Sequence, residues 1–317
     1  MSRKVKVSIC GFREGRGGVS EAPRANDDSG RFDRAMAMAR RARLEGADLA
    51  VFPEIFLLLD KNNAWDLAEP LDGPLFRKFA ENARKEAMFL AVNHPTLIDG
   101  VRRNSTVLFN RRGDVEGVYH KTYPTIGELE RRVMPGKGAV VLDTEIGRIG
   151  FAICYDLNFI ELRAAYRDLK PDMTLFSSMW PGGLLTRAWA LETRAYLVCA
   201  VVDYPSCIVN PVGRVLKIMD NIDDHLTHTL ELDCGVFHYD YNNRQIKRLC
   251  CEFGKDIDME PAGAEGVFLL SATGSVPLAT VVQAIGLEPA ESLFARSRAE
   301  CRNALAGRFP EVGPPAW

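Results

Sequence analysis

Three stretches of the chain, STVLFNRRGDVEGVYHK, AVVLDTEIGRIGFAIC and SCIVNPVGRVLKIM, read as antiparallel hairpins, the first turning at Arg111 to Asp114 and the last around Pro211 to Gly213. Helix-like segments separate them. A purely parallel, doubly wound sheet has no place for hairpins. The chain is therefore restricted to an α/β fold with a mixed sheet, or a pair of sheets, covered by helices. No G-x-G-x-x-G opens a helix after the first strand and no phosphate-loop signature occurs, which sets nucleotide binding aside.

The remaining segments fit that frame. KVKVSIC (4–10) alternates as a strand does, and a Gly-, Ser- and Asp-rich loop follows to about residue 30. Phe32, Ala35, Met36, Ala39 and Ala42 then recur at helical spacing. DLAVFPE (48–54) is a short buried strand closed by Pro53, residues 74–87 read as a helix and MFLAVNH (88–94) as a third strand. Beyond the second hairpin come helical FIELRAAYRDL, strand MTLFSS, a helix over 184–196 and strands LVCAVVD and THTLELD. After about Asp233 the pattern weakens, and Gly, Pro and Ala dominate. The expected organisation is one domain over 1–235, with 236–317 as a C-terminal extension of the same domain that makes oligomer contacts.

A net charge of −2 gives no global positive field for nucleic acid or an anionic membrane surface. No run reaches the roughly 18 apolar residues of a spanning helix. The opening MSRKVKVSIC lacks the apolar core and cleavage site of a secretory signal, so the expected location is the cytoplasm. There, eight scattered cysteines are no disulfide framework, and no C-x-x-C pair occurs.

Three stretches place an ionisable residue just after an apolar strand: AVFPE with Glu54, GVYHK with Lys121 and GFAIC with Cys154. Taken singly, each charge reads as a solvated boundary residue, and Cys154 as a small core side chain. Taken together they supply the parts of acyl transfer. A thiol needs a base to become a nucleophile, and a carboxylate fills that role. A fixed ammonium stabilises the oxyanion of the tetrahedral adduct.

The order and surroundings of these residues, FPE, then HKTYPTIGE, then PGKG and LDTEIGRIGFAICYD, resemble the nitrilase superfamily of carbon–nitrogen hydrolases. The resemblance runs over roughly residues 5 to 235, continuing through FIELRAAYRD, SSMWPGG and SCIVNPVGRVL. It implies a four-layer α-β-β-α sandwich that assembles as a homodimer or higher homo-oligomer, and a mechanism without metal or organic cofactor. By match, its Glu–Lys–Cys triad is Glu54, Lys121 and Cys154, with Glu128 of PTIGE as the second glutamate of many members. Lys121 and the backbone N–H of Tyr155 would hold the oxyanion. The first strand departs from the family pattern, leading into SICGFREGRGG instead of a Gln-containing stretch.

The residues after the cysteine bear on the substrate. Nitrile-cleaving members often carry Trp-Glu there, whereas this chain has Tyr155-Asp156. Members acting on N-carbamoyl amino acids often place an arginine just beyond, where this chain has Leu157 and Asn158. The form CYDLNFIE is closer to amidases, so a small-molecule primary amide is the expected substrate, with N-carbamoyl compounds and, after them, nitriles as alternatives. Asn158 and Trp180 are candidate substrate contacts. Rival readings are a metal site among His225, His228, His238, Asp233 and Cys234, a Cys–His enzyme using His120, and a non-enzymatic relative that has kept only the fold. Alternation along THTLELD puts His228 and Cys234 on one face and His225 on the other, against the first of these.

Overall fold

The computed structural model describes residues 3–12, 28–59, 61–219 and 224–311; the polar loop after the first strand falls largely on 13–27, outside them. The chain divides into two compact units, Val5–Leu230 and a second built from the chain beyond Leu230.

In chain order the first unit carries β1 (Lys4–Cys10), α1 (Asp28–Leu44), β2 (Leu49–Val51), α2 (Pro74–Glu86), β3 (Phe89–Ile98), β4 (Val101–Phe109), β5 (Val115–His120), α3 (Ile126–Glu130), β6 (Val141–Thr144), β7 (Gly147–Ile153), α4 (Ile160–Leu169), β8 (Met173–Ser178), α5 (Leu184–Thr193), β9 (Tyr196–Val201), β10 (Cys207–Val209), β11 (Val215–Ile218) and β12 (His225–Glu231). They form two six-stranded sheets, ordered β12-β1-β2-β3-β4-β5 and β11-β10-β9-β8-β7-β6. Both are mixed. Parallel β1–β2–β3 and β7–β8–β9 sit beside the expected antiparallel hairpins.

Each sheet buries one face under a helix pair. On the first, Ala35, Met38, Ala39 and Ala42 of α1 and Phe76, Phe79 and Ala83 of α2 pack on Ala50, Leu90, Val92, Val107 and Phe109. Phe76, Phe79 and Ala83 recur at i, i+3 and i+7, and Pro74 opens α2 where no N–H partner is needed. Burying each of these phenylalanines is worth about 1.5–3 kcal/mol. On the second sheet, Leu162 and Tyr166 of α4 and Trp189 and Ala190 of α5 cover Ala152, Phe176, Leu197 and Val201. The opposite faces meet each other. Tyr119 of β5 stacks on Phe151 of β7 with ring centroids 6.0 Å apart, and Ser177 Oγ of β8 donates to the Phe52 carbonyl at 2.8 Å. The result is an α-β-β-α sandwich, as the family resemblance implied.

The sequence pattern understates two regions. β3 continues through Pro95 to Ile98 and forms a further hairpin with β4, pairing Asn93 with Thr106 and Pro95 with Asn104. Beyond Asp233, where periodicity weakened, the chain forms β13 (Cys234–His238), α6 (Asn243–Phe253), β14 (Ile257–Ala262), β15 (Val267–Ala272), α7 (Leu278–Ile285) and α8 (Ala290–Leu305). The three strands make an antiparallel sheet, and Phe237, Leu249, Phe268, Leu270, Val281 and Ile285 form a core of their own. Among the described residues no helix is long and apolar enough to cross a membrane.

Candidate active site

Glu54 and Lys121 lie just past β2 and β5 in the first sheet, and Cys154 directly follows β7 in the second. Facing sheets therefore bring three strand ends to one place. The structure adds Glu128 from α3, whose cap orients it: Thr125 Oγ1 accepts from the Glu128 N–H at 3.3 Å, and the Thr125 N–H donates to Glu128 Oε2 at 2.7 Å.

The charged groups form one buried cluster. Lys121 Nζ lies 2.9 Å from Glu54 Oε1 and 2.8 Å from Glu128 Oε2, and all three residues are at most 6% exposed. Burial works against the lysine charge, but Glu54, Glu128 and Cys154 outweigh it and hold the ammonium well above the ordinary lysine range. Burial likewise disfavours the Glu128 carboxylate, yet Lys121, Asn104 and Thr125 hold its pKa below the ordinary value.

Cys154 begins a 3₁₀ turn, Cys154–Asn158, with φ of 45°, a left-handed conformation that costs a non-glycine residue about 1–2 kcal/mol. The sharp turn swings the side chain off the strand end toward the first sheet. Its thiol is half-buried, with Glu54, Lys121 and Ser178 all near enough to act on its ionisation. Burial, with the Glu54 charge, pushes it up to about 12, against the pull of Lys121 and Ser178. At neutral pH that shift favours the thiol over the thiolate.

Asp156 ties the turn down. It accepts from the Ile153 N–H at 2.9 Å, from Tyr119 Oη at 2.8 Å and from the Tyr123 N–H at 2.9 Å. Tyr119 precedes Lys121 by two residues, so this contact locks the cysteine turn to the strand that carries the lysine. Burial nonetheless dominates those bonds and pushes the Asp156 carboxyl up to about 6.

Tyr155 is the second residue of the turn, with its ring 40% exposed and edge-on to Phe159. Trp180 is half-buried, and its loop reaches the cluster through Ser178 and through the Met179 N–H, which donates to Glu54 Oε2 at 3.1 Å. Asn158 is not drawn in: it is exposed, and its Nδ2 donates to the Tyr155 carbonyl of its own turn at 3.0 Å.

The rival assignments find other surroundings. His120 Nδ1 engages Ser105 Oγ, its cross-strand neighbour, at 2.7 Å, and burial with nearby Arg103 lowers its pKa to about 4. His225 Nε2 pairs with Glu45 at 2.8 Å. β12 ends at Glu231 and Cys234 opens β13, so the expected shared face of His228 and Cys234 does not exist, because a turn separates them. Among the described residues no three His, Cys, Asp or Glu side chains converge as metal donors.

Sequence reading missed Asn104, whose Nδ2 donates to Glu54 Oε1 at 2.8 Å and to Glu128 Oε1 at 2.7 Å. In VRRNSTVLF a polar residue inside a strand looks like a solvent-side position, and only the sheet pairing reveals where it points.

The chain is similar in sequence and in fold to known proteins. The human deaminated glutathione amidase is 29% identical over 206 residues, covering 57% of this chain and 63% of that protein's length. Saccharomyces cerevisiae Nit3, a member of branch 10 of the nitrilase superfamily, superimposes with a TM-score of 0.61 at 20% identity, covering 72% of this chain and 90% of Nit3. A mutant amidase from Nesterenkonia sp. AN1, with the acetamide moiety of fluoroacetamide covalently added at its active-site cysteine, gives 0.59 at 21% identity over 73% of this chain and 91% of that one. Both structures speak to the fold. The Carbon-nitrogen hydrolase family model matches residues 7–233, most of the sandwich unit, and the chain belongs to that family.

Proposed function

We propose that the protein hydrolyses a primary amide to a carboxylate and ammonia through a thioester on Cys154. The observation that carries this reading is the buried cluster in which Lys121 stands between Glu54 and Glu128, within electrostatic reach of the Cys154 thiol. Glu54 takes the Sγ proton as sulfur attacks the amide carbon. Lys121 Nζ and the Tyr155 N–H stabilise the resulting oxyanion. As the adduct collapses, the C–N bond breaks and Glu54 returns the proton to nitrogen, which leaves as ammonia. Glu54 then takes a proton from water, hydroxide adds to the thioester carbon, the C–S bond breaks and the sulfur recovers its proton. Glu128 holds Lys121 in place throughout, and Trp180 walls the acyl group. Every step uses groups of this chain. The same reading has the protein acting in the cytoplasm as a homo-oligomer, which light scattering on the purified protein tests.

The test is ammonia release from a panel of primary amides, N-carbamoyl compounds and nitriles. Deaminated glutathione comes first in that panel, since human and rodent relatives are named for it. The expected result is turnover of an amide, loss of turnover in Cys154→Ala and an acyl adduct on Cys154 detected by mass spectrometry. Wild-type turnover by Cys154→Ala refutes the mechanism, and release from nitriles or carbamoyl compounds alone refutes the substrate class.

A further inference from the structure

Asn104 sits at the centre of a polar chain that the triad does not require. It is fully buried, on the same face of the first sheet as Asn93, which pairs with Thr106 and so lies diagonal to it. The orientation of both amides is fixed by one backbone group. The Ile55 N–H donates to Asn93 Oδ1 at 2.9 Å, and a backbone N–H can only donate. Asn93 Nδ2 therefore faces the other way, donating to Asn104 Oδ1 at 3.0 Å and Thr106 Oγ1 at 3.3 Å. Asn104 is left with both Nδ2 protons for Glu54 and Glu128. The chain closes on itself: Ile55 directly follows Glu54 and has φ of 39°, a strained conformation for a β-branched residue that the Asn93 bond secures.

We propose that Asn104, oriented by Asn93, is a positioning residue that holds both buried carboxylates by hydrogen bonds and selects which oxygen of Glu54 acts as base. Glu54 Oε1 receives Asn104 and Lys121, whereas Oε2 receives the Met179 N–H at 3.1 Å. The less encumbered Oε2 is the oxygen that exchanges protons with Cys154, ammonia and water. Two neutral donors serve the purpose better than a second cation, because they favour ionised carboxylates while leaving the cluster one negative charge to pass to the oxyanion. The other titratable groups facing the pair are Lys121 from the end of β5 and Cys154 from the turn after β7, with Asp156 of that turn within reach of the lysine charge.

The inference rests on the proposed use of Glu54 and Cys154, and its test is separable from theirs. Asn104→Asp, Asn104→Leu and Asn93→Asp are assayed from about pH 5 to about pH 9 on an amide that the wild type turns over, with circular dichroism and melting as fold checks. Asn104→Asp and Asn104→Leu are expected to lower kcat by about 100-fold or more with little change in KM. The acid limb of kcat/KM should move up by about one pH unit or more, because carboxylates that lose donors protonate more readily. Asn93→Asp touches neither carboxylate, yet it opposes Asn104 Oδ1, turns that amide over and should move the limb in the same direction. If Asn104→Leu fails to fold, the two near-isosteric aspartate variants decide. A loss of rate with the acid limb unmoved in folded variants makes both asparagines merely structural and overturns the inference, while Cys154-dependent turnover stands. Turnover that survives Cys154→Ala instead sinks the reading of the reaction.

Discussion

Lys121→Met keeps the length of the side chain and removes its charge, leaving two buried carboxylates that share Asn104 and lack a cation. The ammonium stands 2.9 Å from one and 2.8 Å from the other. At an effective dielectric of about 20, each contact is worth roughly 6 kcal/mol before desolvation. Taking three charged groups out of water offsets most of that, and removing one partner from such a cluster costs about 3–5 kcal/mol. The loss depends on pH with a definite sign. In the wild type the lowered Glu128 pKa contributes stability that is present above its unfolded value, about 4.5, and lost as pH falls. In the variant burial is opposed only by the Asn104 and Thr125 donors, so Glu128 binds its proton more tightly than in the wild type, and the stability it contributes falls. The gap between the two proteins therefore opens below about pH 4.5 and widens as pH rises.

Urea unfolding followed by tryptophan fluorescence reads this unit through Trp65, Trp180 and Trp189. Adding Glu128→Gln to Lys121→Met should recover part of the loss at about pH 8. A cost below about 1 kcal/mol, or a gap that does not change with pH, would refute the buried charge cluster as described.

Because Cys154 has φ of 45°, Cys154→Gly should unfold about 1 kcal/mol harder than Cys154→Ala, the reverse of the usual order for the two residues; equal stabilities would mean the turn carries no strain. His120→Ala should keep kcat within about threefold, since the ring bonds Ser105 and stays neutral above about pH 4; a loss near that of Lys121→Met would restore a histidine base. Asp156→Asn should cost about 1–3 kcal/mol, because its amide cannot accept from Ile153, Tyr119 and Tyr123 together. Burial raises the folded Asp156 pKa to about 6, so this group's contribution is present below its unfolded value of 3.8 and lost as pH rises through about 6; melting curves should show that dependence in the wild type and not in the variant.

Glu54, Lys121 and Cys154 were legible because each ends an apolar run, and the end of a strand is where a sheet can hold a charged group rigidly without burying it among apolar side chains. Glu128 was legible only by resemblance. Its helix, Ile126–Glu130, is too short to show periodicity, and the Thr125–Glu128 capping pair explains the carboxylate as a local device when only the sequence is seen. Asn93 and Asn104 were not legible at all. In alternating strands a polar residue reads as facing water, and here the face in question meets the second sheet. The region beyond Asp233 was underread for another reason: α6 interrupts the strands between β13 and β14, and it places Leu249 at the core while exposing Cys250 and Cys251.

The cluster also explains why a thiol pushed up to about 12 is compatible with nucleophilic attack. With Cys154 neutral, two carboxylates and one ammonium leave the site one net negative charge. When Glu54 takes the thiol proton and sulfur adds to the amide, that charge moves to the new oxyanion, and the total is unchanged. A buried site pays heavily for charge created or removed, but little for charge moved between positions that are both held by hydrogen-bond donors. A free thiolate would have been a buried charge beside Glu54, and burial first, then that repulsion, raise the cysteine pKa. On the proposed mechanism, ionisation and attack are therefore concerted. The rate of the proposed reaction should accordingly stay level through neutral pH, where a resting thiolate–cation pair would have set its own limb.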